Sequence, residues 1–159
     1  MTISTRLDTY LTAHAIPYQM VEHSPSISSI GSAISAQIPL NQIAKAVILK
    51  DHEDRNVMAI LPAKNKVSLS ALNELLHASF SLRKEQEVYA MFNDCEQGAI
   101  PPVGEAYNMT TICDELLNKL DYVYIEAGDH NNLLRIAHHD FEHMVAKGKH
   151  LRFSSEVFH

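Results

Sequence analysis

The chain has 159 residues, of which 46% are hydrophobic and 20% charged. That length and balance support one core in a single domain, residues 1–159, and exclude long disorder, collagen and low-complexity classes. Thirteen Lys and Arg against nineteen Asp and Glu give a net charge of −6, which excludes a broadly basic nucleic-acid binder but leaves room for a local basic patch.

No apolar run approaches the ~20 residues that a membrane helix needs. The opening residues lack the basic-then-apolar layout of a signal peptide. Cys95 and Cys113 are isolated thiols, so neither a disulfide framework nor a cysteine zinc site is expected. A reducing cytoplasm fits that usage.

Leu7, Tyr10 and Leu11 fall at helical spacing, and Pro17 ends that segment. Tyr18–Glu22 reads as a strand. Ser24–Gln37 has a helical apolar pattern through Ile27, Ile30, Ala33 and Ile34, weakened by Gly31 and its serines. Residues Ala44–Lys50 and Asn56–Leu61 are apolar runs around the polar stretch Asp51–Arg55, the mark of a β-hairpin.

Leu69, Leu72, Leu75 and Leu76 predict an amphipathic helix capped by Ser68 or Ser70. A short strand at Phe80–Leu82 and a helix at Glu85–Phe92 follow. Residues Asn93–Gly104, with Gly98, Gly104 and the Pro101-Pro102 pair, form a shaped loop. Beyond it the pattern predicts a short helix near Ile112–Leu117, strands at Tyr122–Glu126 and Leu133–Ile136, and a last helix at Asp140–Ala146. This irregular interleaving points to an α/β (α+β) fold with a curved mixed sheet, not a doubly wound parallel one.

Four features carry chemistry. Lys45 opens a strand that should be central, so its ammonium must reach an opening, pair with an acid or line a pocket. The loop Gly98-Ala99-Ile100-Pro101-Pro102 combines a glycine free to take positive φ with two fixed prolines. It is either a surface turn or a rigid donor of N–H groups to an oxyanion. His130 follows a strand end and reads as ligand, proton-transfer group or turn residue. His139-Asp-Phe-Glu-His143 matches the inverted zinc motif HxxEH. Both histidines lie about 200° around the helix from Phe141, however, and therefore face away from the core. No P-loop, GxGxxG or nucleophile elbow is present.

The pieces, in order, resemble the YbaK/prolyl-tRNA-synthetase-associated domain family. They are IPYQMVEH at Ile16–His23, IAKAVILKD at Ile43–Asp51, VMAILPAKNKVSL at Val57–Leu69, GAIPPVG at Gly98–Gly104, AGD at Ala127–Asp129 and HHDFEHMV near the end. The resemblance implies a curved mixed sheet or partly closed barrel surrounded by helices. It implies a free-standing trans-editing deacylase that hydrolyses the ester of mischarged tRNA, with tRNA(Pro) as one candidate. The alternative is a non-catalytic module of the same fold that binds tRNA ends, a nucleotide or a protein.

By the same resemblance the pocket lysine is Lys45, and the catalytic loop is Gly98 and Ala99. Ile100, Pro101, Pro102 and His130 bind substrate. No metal and no cofactor is required. The implied partners are the 3′ aminoacyl end of a mischarged tRNA and an aminoacyl-tRNA synthetase. Several members carry a polar residue after the lysine, where this chain has Ala46. Two groups offer a footing for phosphates: Lys64, Lys66, Arg83 and Lys84, or Lys147, Lys149, His150 and Arg152.

Overall fold

In the computed structural model, which describes residues 3–23 and 37–156, the chain opens with helix α1 (Thr5–Ala13). Ser4 caps it, its side chain accepting from the Leu7 N–H at 3.2 Å, and Leu7, Tyr10 and Leu11 form the buried stripe. Truncating either leucine to alanine would cost about 2–5 kcal/mol. Strand β1 (Gln19–Glu22) follows. The helical pattern noted in Ser24–Gln37 lies outside the described residues up to position 36, and Gln37 itself takes a left-handed turn conformation at φ 59°.

Strands β2 (Ile43–Lys50) and β3 (Asn56–Pro62) are the expected hairpin, in register from Ala44↔Pro62 to Lys50↔Asn56. Strand β4 (Asn65–Val67) leads into α2 (Leu69–Leu76), where Ser68 is the N-cap. Strand β5 (Ser81–Leu82) pairs with the end of β2, and α3 (Glu85–Met91) follows.

The helix expected near Ile112–Leu117 is instead strand β6 (Thr110–Asp114) and a 3-10 turn, Glu115–Lys119. The cause is twofold. Thr110-Thr-Ile are β-branched and stiff, and β6 pairs in parallel with the fully buried centre of β3. Asp114 caps the turn by accepting from the Leu116 N–H at 2.9 Å.

Strands β7 (Tyr122–Glu126) and β8 (Asn132–Ala137), helix α4 (His138–Met144) and strands β9 (Lys149–Leu151) and β10 (Ser154–Glu156) complete the order. The main sheet runs β1-β8-β7-β2-β3-β6-β9, with β5 also on β2, while β4 and β10 form a separate ribbon. Parallel pairs β2–β7, β3–β6 and β6–β9 mix with antiparallel ones, giving the mixed α+β architecture.

The two sheet faces bury different clusters. Ala44, Met58, Ile60, Ile125, Leu134 and Ile136 pack under α1 and α4. On the opposite face, Leu49, Ala59, Leu61 and Leu72 form one cluster, and Ile43, Ala63 and Leu133 another. Lys45 alternates onto that second face, between the two clusters.

Candidate functional site

Lys45 lies on β2, the middle strand of the seven in the sheet path. It sits one row beyond Ala44, which pairs with Ile125, and so reaches the end of β7 where the next loop departs. The side chain is half-buried. No ion pair or hydrogen bond among the described residues engages its ammonium. Burial lowers its pKa, and the charge of Lys66 on β4 lowers it further. Two cations therefore share the neighbourhood, an arrangement that an anionic group would relieve.

The loop after β7 is built by its own polar side chains. Asp129 Oδ1 accepts from the N–H groups of Asn131 at 3.0 Å and Asn132 at 2.9 Å. Its Oδ2 accepts from Asn132 Nδ2 at 2.9 Å. This Asx closure turns the chain and sets His130 at its crest. Gly128 adopts φ 109°, and a Cβ there would lie 2.8 Å from Ser4 Cβ. Only glycine fits both the conformation and the approach.

Three segments meet at Gly128. Ser4 N–H donates to the Ala127 carbonyl at 2.7 Å, and Glu96 N–H donates to the Gly128 carbonyl at 2.7 Å. Glu96 Oε2 then accepts from the His130 N–H at 3.2 Å and lies 3.7 Å from its Nε2. The Gly98 loop and His130 are thus brought together, with Glu96 as the clasp.

Within the loop, Gly98 is exposed at φ 87°, as its expected conformational role requires. Ala99 is different. It is fully buried, and its N–H donates to the Glu96 carbonyl at 3.1 Å, so it cannot donate to a substrate oxyanion in this conformation. The Gly98 and Ile100 N–H groups make no hydrogen bond among the described residues. Ile100 is half-buried against the main cluster, and Pro101 and Pro102 are buried. The loop is anchored by its apolar side chains, which leaves its backbone as the chemical surface. No hydrogen bond or ion pair links it to Lys45 among the described residues.

A polar cluster next to the loop has no local sequence signature. Asp94 Oδ1 receives Arg6 Nη2 at 2.8 Å and its Oδ2 receives the Arg6 N–H at 3.1 Å. Arg6 also lies 4.2 Å from the Tyr107 ring centroid, and the Tyr107 hydroxyl meets Ser4 Oγ at 2.9 Å. Burial pushes the Asp94 carboxyl up, but the Arg6 hydrogen bonds and charge outweigh it and hold the pKa at about 2. Burial pushes the Cys95 thiol up to about 11 and that of Cys113 to about 12, so neither is an activated nucleophile. Arg6 and Asp94 stand 88 residues apart, and no local spacing announces such a pair.

His139 and His143 are exposed on α4, while Phe141 and Met144 are buried, as helical phase requires. Among the described residues no three ligating side chains converge. The first proposed phosphate footing is split: Arg83 is locked onto Asp54 at 2.8 Å and Glu87 at 3.1 Å, at the opposite end of β3 from Lys64 and Lys66. In the second, His150 Nε2 lies 2.9 Å from the Val145 carbonyl and Arg152 Nε lies 3.3 Å from Asp114.

Comparison with known proteins gives one sequence match and several structural ones. The aminoacyl-tRNA editing domain model matches residues 24–144. No curated protein matches the chain in sequence. The hypothetical protein APE2540 superposes with TM-score 0.82 at 18% identity, covering 94% of this chain and 99% of its own. A candidate trans-editing enzyme for prolyl tRNA synthetase gives 0.76 at 19%, covering 97% of each chain. A candidate signal transduction protein from Marinobacter aquaeolei VT8 gives 0.79 at 19%, over 95% of this chain but 30% of that one. At these identities the likenesses establish the fold.

Proposed function

The chain belongs to the aminoacyl-tRNA editing domain family, and from that premise we propose that it is a trans-editing deacylase, one domain that clears mischarged tRNA in the cytoplasm. The observation that carries this reading is the half-buried Lys45 ammonium, held beside Lys66 without an ion pair among the described residues. In this reading it holds an anionic group of the tRNA 3′ end. Among the described residues no helix is long and apolar enough to cross a membrane, and none of this chemistry requires one.

In the proposed reaction a water adds to the acyl carbon of the ester. The bond to the ribose oxygen breaks, releasing the amino acid and the 3′ hydroxyl. The free N–H groups of Gly98 and Ile100 stabilise the developing oxyanion, while Ala99, Pro101 and Pro102 hold the loop from below. His130, clasped by Glu96, orients the water. An aminoacyl ester is reactive enough for positioning and oxyanion stabilisation to suffice. Such clearance is needed because a synthetase pocket separates small side chains by only ~1–3 kcal/mol. A synthetase that releases the mischarged tRNA is the partner this role implies.

The test is a deacylation screen against mischarged tRNAs, including Ala-tRNA(Pro) and Cys-tRNA(Pro). Turnover of at least one, lost in Lys45→Met, supports the proposal. The engaged N–H and full burial of Ala99 favour a second reading, a non-catalytic module that binds tRNA ends. Uniform inactivity with retained binding of tRNA would establish that one instead.

A further inference from the structure

Tyr122 opens β7 with 42% of its surface exposed. The guanidinium carbon of Arg135 lies 3.7 Å from its ring centroid. Arg135 Nη1 donates to Gln19 Oε1 at 3.1 Å, which tethers the guanidinium from β1 while it stacks on the ring. In the β7–β8 ladder Tyr122 pairs with Ala137 and Tyr124 with Arg135, so both tyrosines and the arginine share one sheet face. Ile43 pairs with Tyr124, and Lys45, two residues on, takes that face as well. At ~3.3 Å per residue, the row of Lys45 lies about 13 Å along β7 from Tyr122.

We infer that the Tyr122–Arg135 stack is a platform for the unpaired 3′-terminal nucleotides of tRNA, leading the ester toward Lys45. The inference rests on the editing reading, because that reading brings a tRNA end to Lys45. Planar aromatic and guanidinium faces are what unstacked bases pack against in single strands, whereas a duplex offers no base faces. The cytidines that precede the terminal adenosine are unpaired and supply those faces. The chain as a whole carries −6, so attraction for a polyanion must be local, and Arg135, Lys45 and Lys66 supply it along this face.

The test uses the full chain and two uncharged, fluorescently labelled RNA oligonucleotides ending in cytidine-cytidine-adenosine. In the second, abasic residues replace the two cytidines. The parent is expected to bind the first about tenfold more tightly than the second, within the range of base–aromatic stacking. Tyr122→Ala should abolish that difference, Tyr122→Phe should keep it, and Arg135→Lys should reduce it, with circular dichroism melts checking that each variant is folded. On full-length mischarged tRNA, Tyr122→Ala should raise KM about tenfold. Equal binding of both oligonucleotides by the parent overturns the platform, as does a folded Tyr122→Ala variant that keeps the preference. A parent that shows the preference yet clears no mischarged tRNA supports the platform and removes the deacylase reading.

Discussion

Glu96 holds His130 by the backbone: its Oε2 accepts from the His130 N–H at 3.2 Å, and the same oxygen lies 3.7 Å from the ring Nε2. The contact joins two loops that are 34 residues apart in sequence. On the proposed mechanism Glu96 is a positioning residue whose effect on turnover passes through His130. Glu96→Ala should lower kcat about tenfold with little change in KM, and Glu96→Gln, which keeps an acceptor oxygen, should recover most of that loss. Steady-state kinetics on mischarged tRNA reads the split, and a purely structural role would show as equal losses in the two variants that follow their melting temperatures.

Lys45 should behave as a group held at a cost to stability. Its pKa is lowered by burial and by Lys66, so the folded state disfavours its charge, and stability should rise as pH climbs from the lowered pKa toward the ordinary lysine value. Lys45→Met removes the cost while keeping the packing stem. Its melting temperature at pH 7 should match or exceed the parent's while turnover falls at least a hundredfold, on the order of one lost transition-state contact. A marked drop in melting temperature would make Lys45 a structural residue.

The two positive-φ glycines should separate. Gly98 is exposed, whereas Gly128 would place a Cβ 2.8 Å from the helix cap at Ser4. Gly128→Ala should cost about 2–4 kcal/mol through combined strain and clash. Gly98→Val should cost about 1–2 kcal/mol from strain alone yet abolish hydrolysis by covering the loop backbone. Denaturant melts beside activity assays distinguish them, and full activity in folded Gly98→Val would reduce the loop to a turn.

Asp94 should show itself in acid. Its folded pKa of about 2 lies below the ordinary value of about 3.9, so its contribution is present above that value and is lost as pH falls through about 2. Asp94→Asn should cost about 1.5–3 kcal/mol at pH 7, the range for a hydrogen bond to a charged group. The gap to the parent should close between about pH 4 and pH 2. A gap that does not change with pH would mean that Arg6 is not its source.

What could be read from residues alone follows the range of each signal. Helix stripes, the hairpin and the Ser68 cap are local patterns, and they reappear in α1, α2, β2, β3 and at the start of α2. The β6 segment carries little local strand signal, because its burial comes from a parallel partner, β3, that lies some fifty residues upstream. Lys45 stood out because a charge beside an apolar run is anomalous in sequence. Glu96, Asp94 and Arg6 did not, since exposed-type residues in loops carry no mark until the fold sets them against His130, Arg6 and Tyr107. Asp129 was legible in principle, because an aspartate ahead of two asparagines after a glycine is a turn signature.

The strand order also has a bearing on time. β1 waits for β8 across more than a hundred residues, β2 waits for β7, and β6 closes on β9. The chain through β9 must therefore be present before the sheet can be completed, and until then β1 and the β7-facing edge of β2 are unpaired. Such non-local pairing places folding in the slow, milliseconds-to-seconds class of topologies. During synthesis β1, whose one partner among the described strands is β8, would be among the segments most dependent on protection by chaperones.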